Sequence, residues 1–273
     1  MTHRRRLLYT SLRTERALGR EQAELLMRIH MGRLVHRGPQ YEQVRRVTRR
    51  LVGRGIARGF SHGTFGPGVV DGMDWSIVLV DAPMANAFVL PHGAIFVYTG
   101  LLDRVVSTDD ELAIILGHEM SHALLRHGGE RLSHQNVFLA AQVVASFVLW
   151  FFAPFVPEPR FVALIEGVQE MLLSVVISLP NSRAQETEAD IIGLRLAAAS
   201  CYDPAAAPVL WKRFARLKGE DERVSDWLST HPNSEGRAVL LEKHLQEARR
   251  IARDSGCEAQ LSDFRKRMRL SGV

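Results

Sequence analysis

Cysteine is nearly missing from this 273-residue sequence, which has only Cys201 and Cys257. Two are too few for a disulfide framework or a cysteine-rich metal site; a single bridge and two free thiols both stay open. The opening residues, "MTHRRRLLYTSLRT", lack the apolar stretch that a secretory signal needs. They also lack any acid until Glu15 and mix Arg with Ser and Thr, as organelle transit peptides do. No internal repeat is present. No aromatic- or glycine-rich nucleic-acid motif accompanies the basic charge, so nucleic acid is not an expected partner. At 46% hydrophobic and 24% charged, the composition excludes global disorder and allows a substantial core. One compact domain with appendages suits this length better than two full domains.

Charge is present but unevenly spread. Residues 1–58 hold fifteen Arg, no Lys and four Glu, a net of +11 within a chain whose total is +5. Such a leader reads either as a solvated helical face or as a surface for anionic lipid. Residues 12–36 and 40–58 carry helical patterning on either side of "RGPQ". Three short β-type runs follow: "WSIVLV" (75–80), "NAFVL" (86–90) and "AIFVYT" (94–99). Pro91-His92-Gly93 between the last two predicts a hairpin turn. From Thr108 onward the pattern is helical. Thr108 with Glu111 reads as a capping box, and Gly128-Gly129 as the stop of a helix of about twenty residues. Ser182 with Gln185 starts another helix, and further ones are expected at about 204–218, 234–253 and 259–268. The order predicts an α+β, mainly helical fold with a small antiparallel sheet.

One stretch sits uneasily in water. Residues 137–156, "VFLAAQVVASFVLWFFAPFV", carry no charge over a length near that of a bilayer core. A membrane-contacting segment, a buried core helix and an interfacial hairpin are all compatible with it. The next apolar segment, 161–179, contains Glu166, Gln169 and Glu170, and so reads as amphipathic.

The chemistry is concentrated in "LGHEMSHALLRHGGE" (116–130), where His118, Glu119 and His122 spell H-E-x-x-H. Residues four apart on a helix point the same way, so His118 and His122 can close on one metal. Glu119 lies one step round, within reach of a water on that metal and poorly placed to ligate it. That is the division needed for metal-assisted hydrolysis, with Glu119 as general base. In random order, this composition would produce only about 0.03 such strings. His127 is a poor third ligand, lying about 140° round the helix from His122; a structural or capping role suits it better. "ETEAD" places Glu186 and Asp190 four apart on one face, with Glu188 roughly opposite. Alone it would be a charged helix surface. Paired with H-E-x-x-H it supplies Glu186 as third ligand, with Asp190 accepting the free N–H of a ligating histidine.

These segments resemble the HtpX and CAAX-prenyl-protease family of zinc metallopeptidases. The matching stretches are "NAFVLPHGAIFVYTGLL" (86–102), "LGHEMSHALLRHG" (116–128), "SRAQETEADIIGL" (182–194) and "STHPNSEGR" (229–237). Within the family, "VDAPMANAFVLPHGAIFVYTGLL" and "WLSTHPNSEGR" are most similar to the Oma-type branch of mitochondrial inner-membrane metalloendopeptidases. The resemblance implies a zincin-like fold and one Zn²⁺ per chain on His118, His122 and Glu186, with Glu119 as base. It places Asp190 behind His118, and His231 and Arg237 where they steady the oxyanion or hold the Glu186–Asp190 helix. It makes Ala85, Asn86, Ala87 and Phe88 an edge strand on which extended substrate pairs. The two cysteines resemble positions of that branch, which makes a Cys201–Cys257 bridge a hypothesis. The implied organisation is a basic helical leader (1–60), a metallopeptidase domain (70–250) and a helical tail (251–273).

The implied function is zinc-dependent cleavage of membrane-associated or misfolded proteins in quality control. Protein or peptide substrates and membrane lipid are the expected partners, and a homo-oligomer stays open. The expected location is the mitochondrial inner membrane, with another organelle or a bacterial envelope membrane as the alternative. Relatives often carry clear transmembrane helices. Here no second convincing one lies near the N-terminus, so two expectations stand side by side: anchoring on 137–156 with the basic leader, or a processed or truncated form of the chain. Two other readings compete: an autoinhibited or inactive zinc-binding, chaperone-like module in which His231 takes the fourth metal position, and a soluble peptidase of the same family.

Overall fold

A computed structural model describes residues 4–57, 60, 65–152, 182–217, 231 and 234–258. The chain enters through an extended arm and forms α1 (Leu12–Ile29), capped by the Ser11 side chain on Thr14 N–H. A short 3-10 turn then leads to β1 (Leu34–Val35), and α2 (Pro39–Arg50) follows, running on through a π-type turn (Leu51–Ile56). The helical patterning to residue 36 therefore stops early. Leu34 and Val35 pair antiparallel with Val80 and Leu79 of β2 (Ser76–Val80), and sheet hydrogen bonds outweigh a weak local preference.

β3 (Ala87–Val89) and β4 (Ala94–Tyr98) form the expected hairpin, closed by Gly93 N–H on Leu90 C=O. Gly93 has φ 108°, a conformation that glycine adopts without strain. The sheet order is β1-β2-β4-β3, and β2 runs parallel to β4. The sheet is thus mixed rather than wholly antiparallel, because the chain after β2 crosses to the far edge before the hairpin returns. Every residue of β4 is buried. Ile95 and Val97 face the main core, while Phe96 and Tyr98 face a smaller one shared with Ala23 of α1. β3 is left at the edge.

Among the described residues, α3 (Thr99–Arg104) is followed by α4 (Asp109–Leu124), α5 (His127–Phe152), α6 (Arg183–Ala199), α7 (Ala206–Leu217) and α8 (Ser234–Asp254). Among the described residues, none of the helices is long and apolar enough to cross a membrane. The segment 161–179 and the expected helix at 259–268 lie outside the described residues, as do residues 153–156 of the apolar run.

At α4 the cap differs from a full capping box. Thr108 Oγ1 accepts from Glu111 N–H, but the Glu111 carboxylate accepts from Ser107 N–H and pairs with Arg213. α4 also stops before Gly128-Gly129. Arg126 takes the left-handed conformation (φ 58°), and the two glycines fall in the first turn of α5. Arg126 is held there by Glu15 and Thr10 C=O, so a long-range ion pair sets the break that the glycines suggested locally. Ser182 and Gln185 do form a complete capping box on α6.

Cys201, just past α6, is bonded to Cys257, just past α8, across a sequence separation of 56. Removing a cross-link of that span should cost about 4 kcal/mol through chain entropy. Paired Cys201→Ser and Cys257→Ser changes are therefore expected to lower Tm by about 10 °C. Thermal melts of wild type with and without reductant check the same quantity, and equal melts would show that the bridge contributes little.

Candidate active site

α4 is buried along nearly its whole length, including its polar residues His118, Glu119, Ser121 and His122. It can run so deep because α6 crosses it at two glycines. A Cβ on Gly117 would sit 2.9 Å from Gly193 C=O, and one on Gly193 would sit 2.7 Å from His118 N. Only glycine lets the two backbones approach so closely. The crossing carries the first turn of α6 over the imidazoles.

There the side chains converge. His118 Nε2 and His122 Nε2 stand 3.0 Å apart. Glu186 places Oε2 3.4 Å from His118 Nε2 and Oε1 3.4 Å from His122 Nε2. His231 brings Nδ1 to 3.2 Å from His118 Nε2 and 3.0 Å from Glu186 Oε2. One donor atom from each of these four buried residues lies within 4.8 Å of all the others. Asp190 Oδ1 lies 3.0 Å from His118 Nδ1, on the side away from the cluster. His122 Nδ1 also points outward, to His127 Nδ1 at 2.8 Å.

With both outer nitrogens carrying protons, the two Nε2 lone pairs can face each other only with a positive charge between them, a proton on His118 or a cation in its place. Ligands about 2.0–2.1 Å from a tetrahedral zinc stand roughly 3.3 Å apart. The observed 3.0–3.4 Å spacings match, so the donor set fits a single zinc ion.

The electrostatics suit that occupant. Burial pushes His122 well below the ordinary imidazole pKa, leaving the neutral form that binds cations. Burial and the Arg237 charge oppose a proton on His118, but hydrogen bonds to Asp190 and Glu186 prevail and hold its pKa at about 9. A cation must displace that proton. Burial would raise Glu186, yet the imidazoles of His118, His122 and His231 around it hold it far below the usual carboxylate range. Burial raises Glu119, against the pull of His231 and His118. Its Oε1 has no hydrogen-bond partner among the described residues; His231 Nε2, at 3.3 Å, is close but misaligned.

Arg237 buttresses the group. Its guanidinium donates to both Asp190 oxygens at 2.7 and 2.8 Å, with Nη1 2.9 Å from Glu186 Oε2. It lies 3.5 Å over the Trp211 ring, which also meets His118 edge-on. Trp211 escaped the sequence reading, since an apolar residue on an amphipathic helix carries no signal beyond burial. Arg4 carries no local signal either, because its partners Glu130 and Glu188 lie more than a hundred residues away.

A cleft of about 550 Å³ opens onto Glu119, His122 and His231. One wall is β3 and its flanks, including Asn86, Ala87 and Phe88; the other is α1, through Leu18, Gly19 and Gln22. Ala85 does not line it, being fully buried in the core.

Comparison with known proteins decides the family. The model of peptidase family M48 matches residues 64–245. The chain belongs to peptidase family M48. The mitochondrial metalloendopeptidase OMA1 of Bos taurus is 36% identical over 70% of this chain and 36% of its own length. OMA1 of Danio rerio is 34% identical over 94% of this chain and 52% of its own length. A beta-barrel assembly-enhancing protease of Yersinia pestis is 27% identical over 64% of this chain and 34% of its own length. The chain thus spans between about a third and about half of these M48 relatives. The resemblance to the Oma-type branch agrees with these matches, and so does the mainly helical α+β fold.

Proposed function

We propose that this chain is a zinc-dependent metalloendopeptidase that hydrolyses membrane-associated or misfolded proteins in quality control. The observation that carries this reading is the meeting of His118, His122 and Glu186 beside Glu119 at the floor of a cleft. In it, His118, His122 and Glu186 hold the zinc, which when bound supplies Lewis-acid polarisation of water and of a scissile carbonyl. Glu119 takes the proton of the attacking water and delivers it to the leaving amine. Asp190 fixes the tautomer and orientation of His118, and Arg237 locks Asp190 and Glu186 in place. Extended substrate pairs with the edge at Asn86–Phe88, which orients the backbone without demanding a side chain. Residues 70–250 act as the peptidase unit, with 1–60 as a basic leader and 251–273 as a tail.

The mitochondrial relatives support a mitochondrial setting; we place the chain at the inner membrane, with another organelle or a bacterial envelope as the alternative. Leu18, Leu25 and Ile29 are exposed along one stripe of α1 among exposed arginines, which supports contact with anionic lipid.

The purified protein should contain one zinc per chain and cleave an unfolded protein such as casein. Chelation should abolish cleavage and added zinc restore it. Undiminished cleavage by the metal-free protein would overturn the reading.

His231 favours a second reading, an autoinhibited state. Its Nδ1 joins the donor cluster where a water would otherwise stand, so the residue must withdraw before substrate enters. Under this reading His231→Ala raises casein cleavage. If His231 instead steadies the oxyanion, the same change lowers it.

A further inference from the structure

His127 is fully buried and lies outside the metal cluster, yet it has a direct line to it. Its Nδ1 is 2.8 Å from His122 Nδ1, and its Nε2 is 2.9 Å from Glu188 Oε2. A carboxylate only accepts, so His127 Nε2 carries the proton and donates to Glu188. His127 Nδ1 is then an acceptor, and His122 Nδ1–H must donate to it. That leaves the His122 Nε2 lone pair pointing into the cluster. One tautomer is thus selected through two hydrogen bonds that start at a buried carboxylate.

Glu188 is itself held from the far end of the chain. Arg4 contacts Glu188 through Nε and Nη2, each at 3.2 Å. The same guanidinium grips Glu130 in a two-pronged contact, with Nη2 to Oε2 at 2.7 Å, and Gln185 Nε2 donates to Glu130 at 3.1 Å. Two nearby buried carboxylates need such a cation, because side by side they repel each other. The arm bearing Arg4 is pinned in turn: Arg6 donates to Leu125 C=O, and Tyr9 and Thr10 N–H reach Ser133 Oγ.

We propose that His127 is a positioning residue for the metal ligand His122, and that the N-terminal arm, through Arg4 on Glu188 and Glu130, keeps it in place. The proposal rests on the reading of His122 as a zinc ligand. It makes the arm part of the active site, with Arg4 acting through Glu188 and His127. Partners behind a ligating histidine commonly change metal affinity by about 10- to 100-fold.

The test measures zinc affinity by chelator competition, and the visible spectrum of the cobalt-substituted protein, on the full chain. His127→Leu should weaken zinc binding by about 10- to 100-fold and shift the cobalt spectrum. His127→Gln, which can still accept at one end and donate at the other, should restore part of the loss. Arg4→Met should weaken zinc in the same direction by a smaller factor, and Arg4→Lys should recover most of it. A merely structural role would lower the Tm of the metal-free protein and leave the zinc affinity and cobalt spectrum of the folded fraction unchanged; that result overturns the proposal alone. His122→Ala binding zinc as tightly as wild type would instead overturn the ligand reading, and the proposal with it.

Discussion

Glu119→Gln is expected to bind one zinc per chain, as wild type does, and to cleave casein about 10²- to 10⁴-fold more slowly. Gln has the same shape and is uncharged, so the buried pocket keeps its packing while losing the proton acceptor. Glu119 is not among the residues whose donor atoms cluster, so metal content should not follow the loss of activity. In the metal-free protein, burial raises the proton affinity of Glu119. Zinc analysis and initial rates on the same preparations check both halves. A variant that cleaves at the wild-type rate would assign the base elsewhere, and one that loses zinc would make Glu119 a ligand.

Gly193→Val is expected to damage the site from a position that touches neither metal nor substrate. Replacing a mid-helix glycine normally stabilises a helix by up to about 1 kcal/mol. Here the new Cβ would lie 2.7 Å from His118 N and 2.8 Å from His118 Cα and Gly117 C, all backbone that cannot rotate away. Overpacking of this kind costs about 1–3 kcal/mol, so the clash outweighs the propensity gain. Relief requires α6 to move away from α4. Glu186 lies on the same helix two turns earlier, so its carboxylate withdraws from the imidazoles and zinc affinity falls. Gly53→Ala, at a position with no atom within 4 Å of the added carbon, should leave zinc affinity unchanged and stability equal or higher. Denaturant melts and zinc competition on the two variants separate a specific crossing from a general glycine effect.

Much of the site was legible locally. The four-residue spacing of His118 and His122, and of Glu186 and Asp190, needs only helical periodicity to place each pair on one face. The Ser182–Gln185 cap and the Pro91–Gly93 turn follow from the dihedral and hydrogen-bonding preferences of a few adjacent residues. Where local signals competed with distant ones, they lost. Gly128-Gly129 had the chemistry of a helix stop, but Arg126 turns the chain first because Glu15, 111 residues earlier, pairs with it. Leu34 and Val35 continued a helical pattern until β2 offered them backbone partners. Glu188 read as the solvated side of a charged helix, and it is buried because Arg4 and His127 satisfy it.

The residue order alone was enough to establish most of the pieces: where most of the described helices begin, α3 and α5 excepted, and which side chains share a face. Those properties depend on torsions and on neighbours within one or two turns. The order could not say that two glycines 76 residues apart would cross, that Trp211 would lie under Arg237, or that Arg4 would hold Glu188 behind His127. Such contacts form only when burial across long sequence separations repays the loss of chain entropy, and that balance belongs to the packed molecule as a whole.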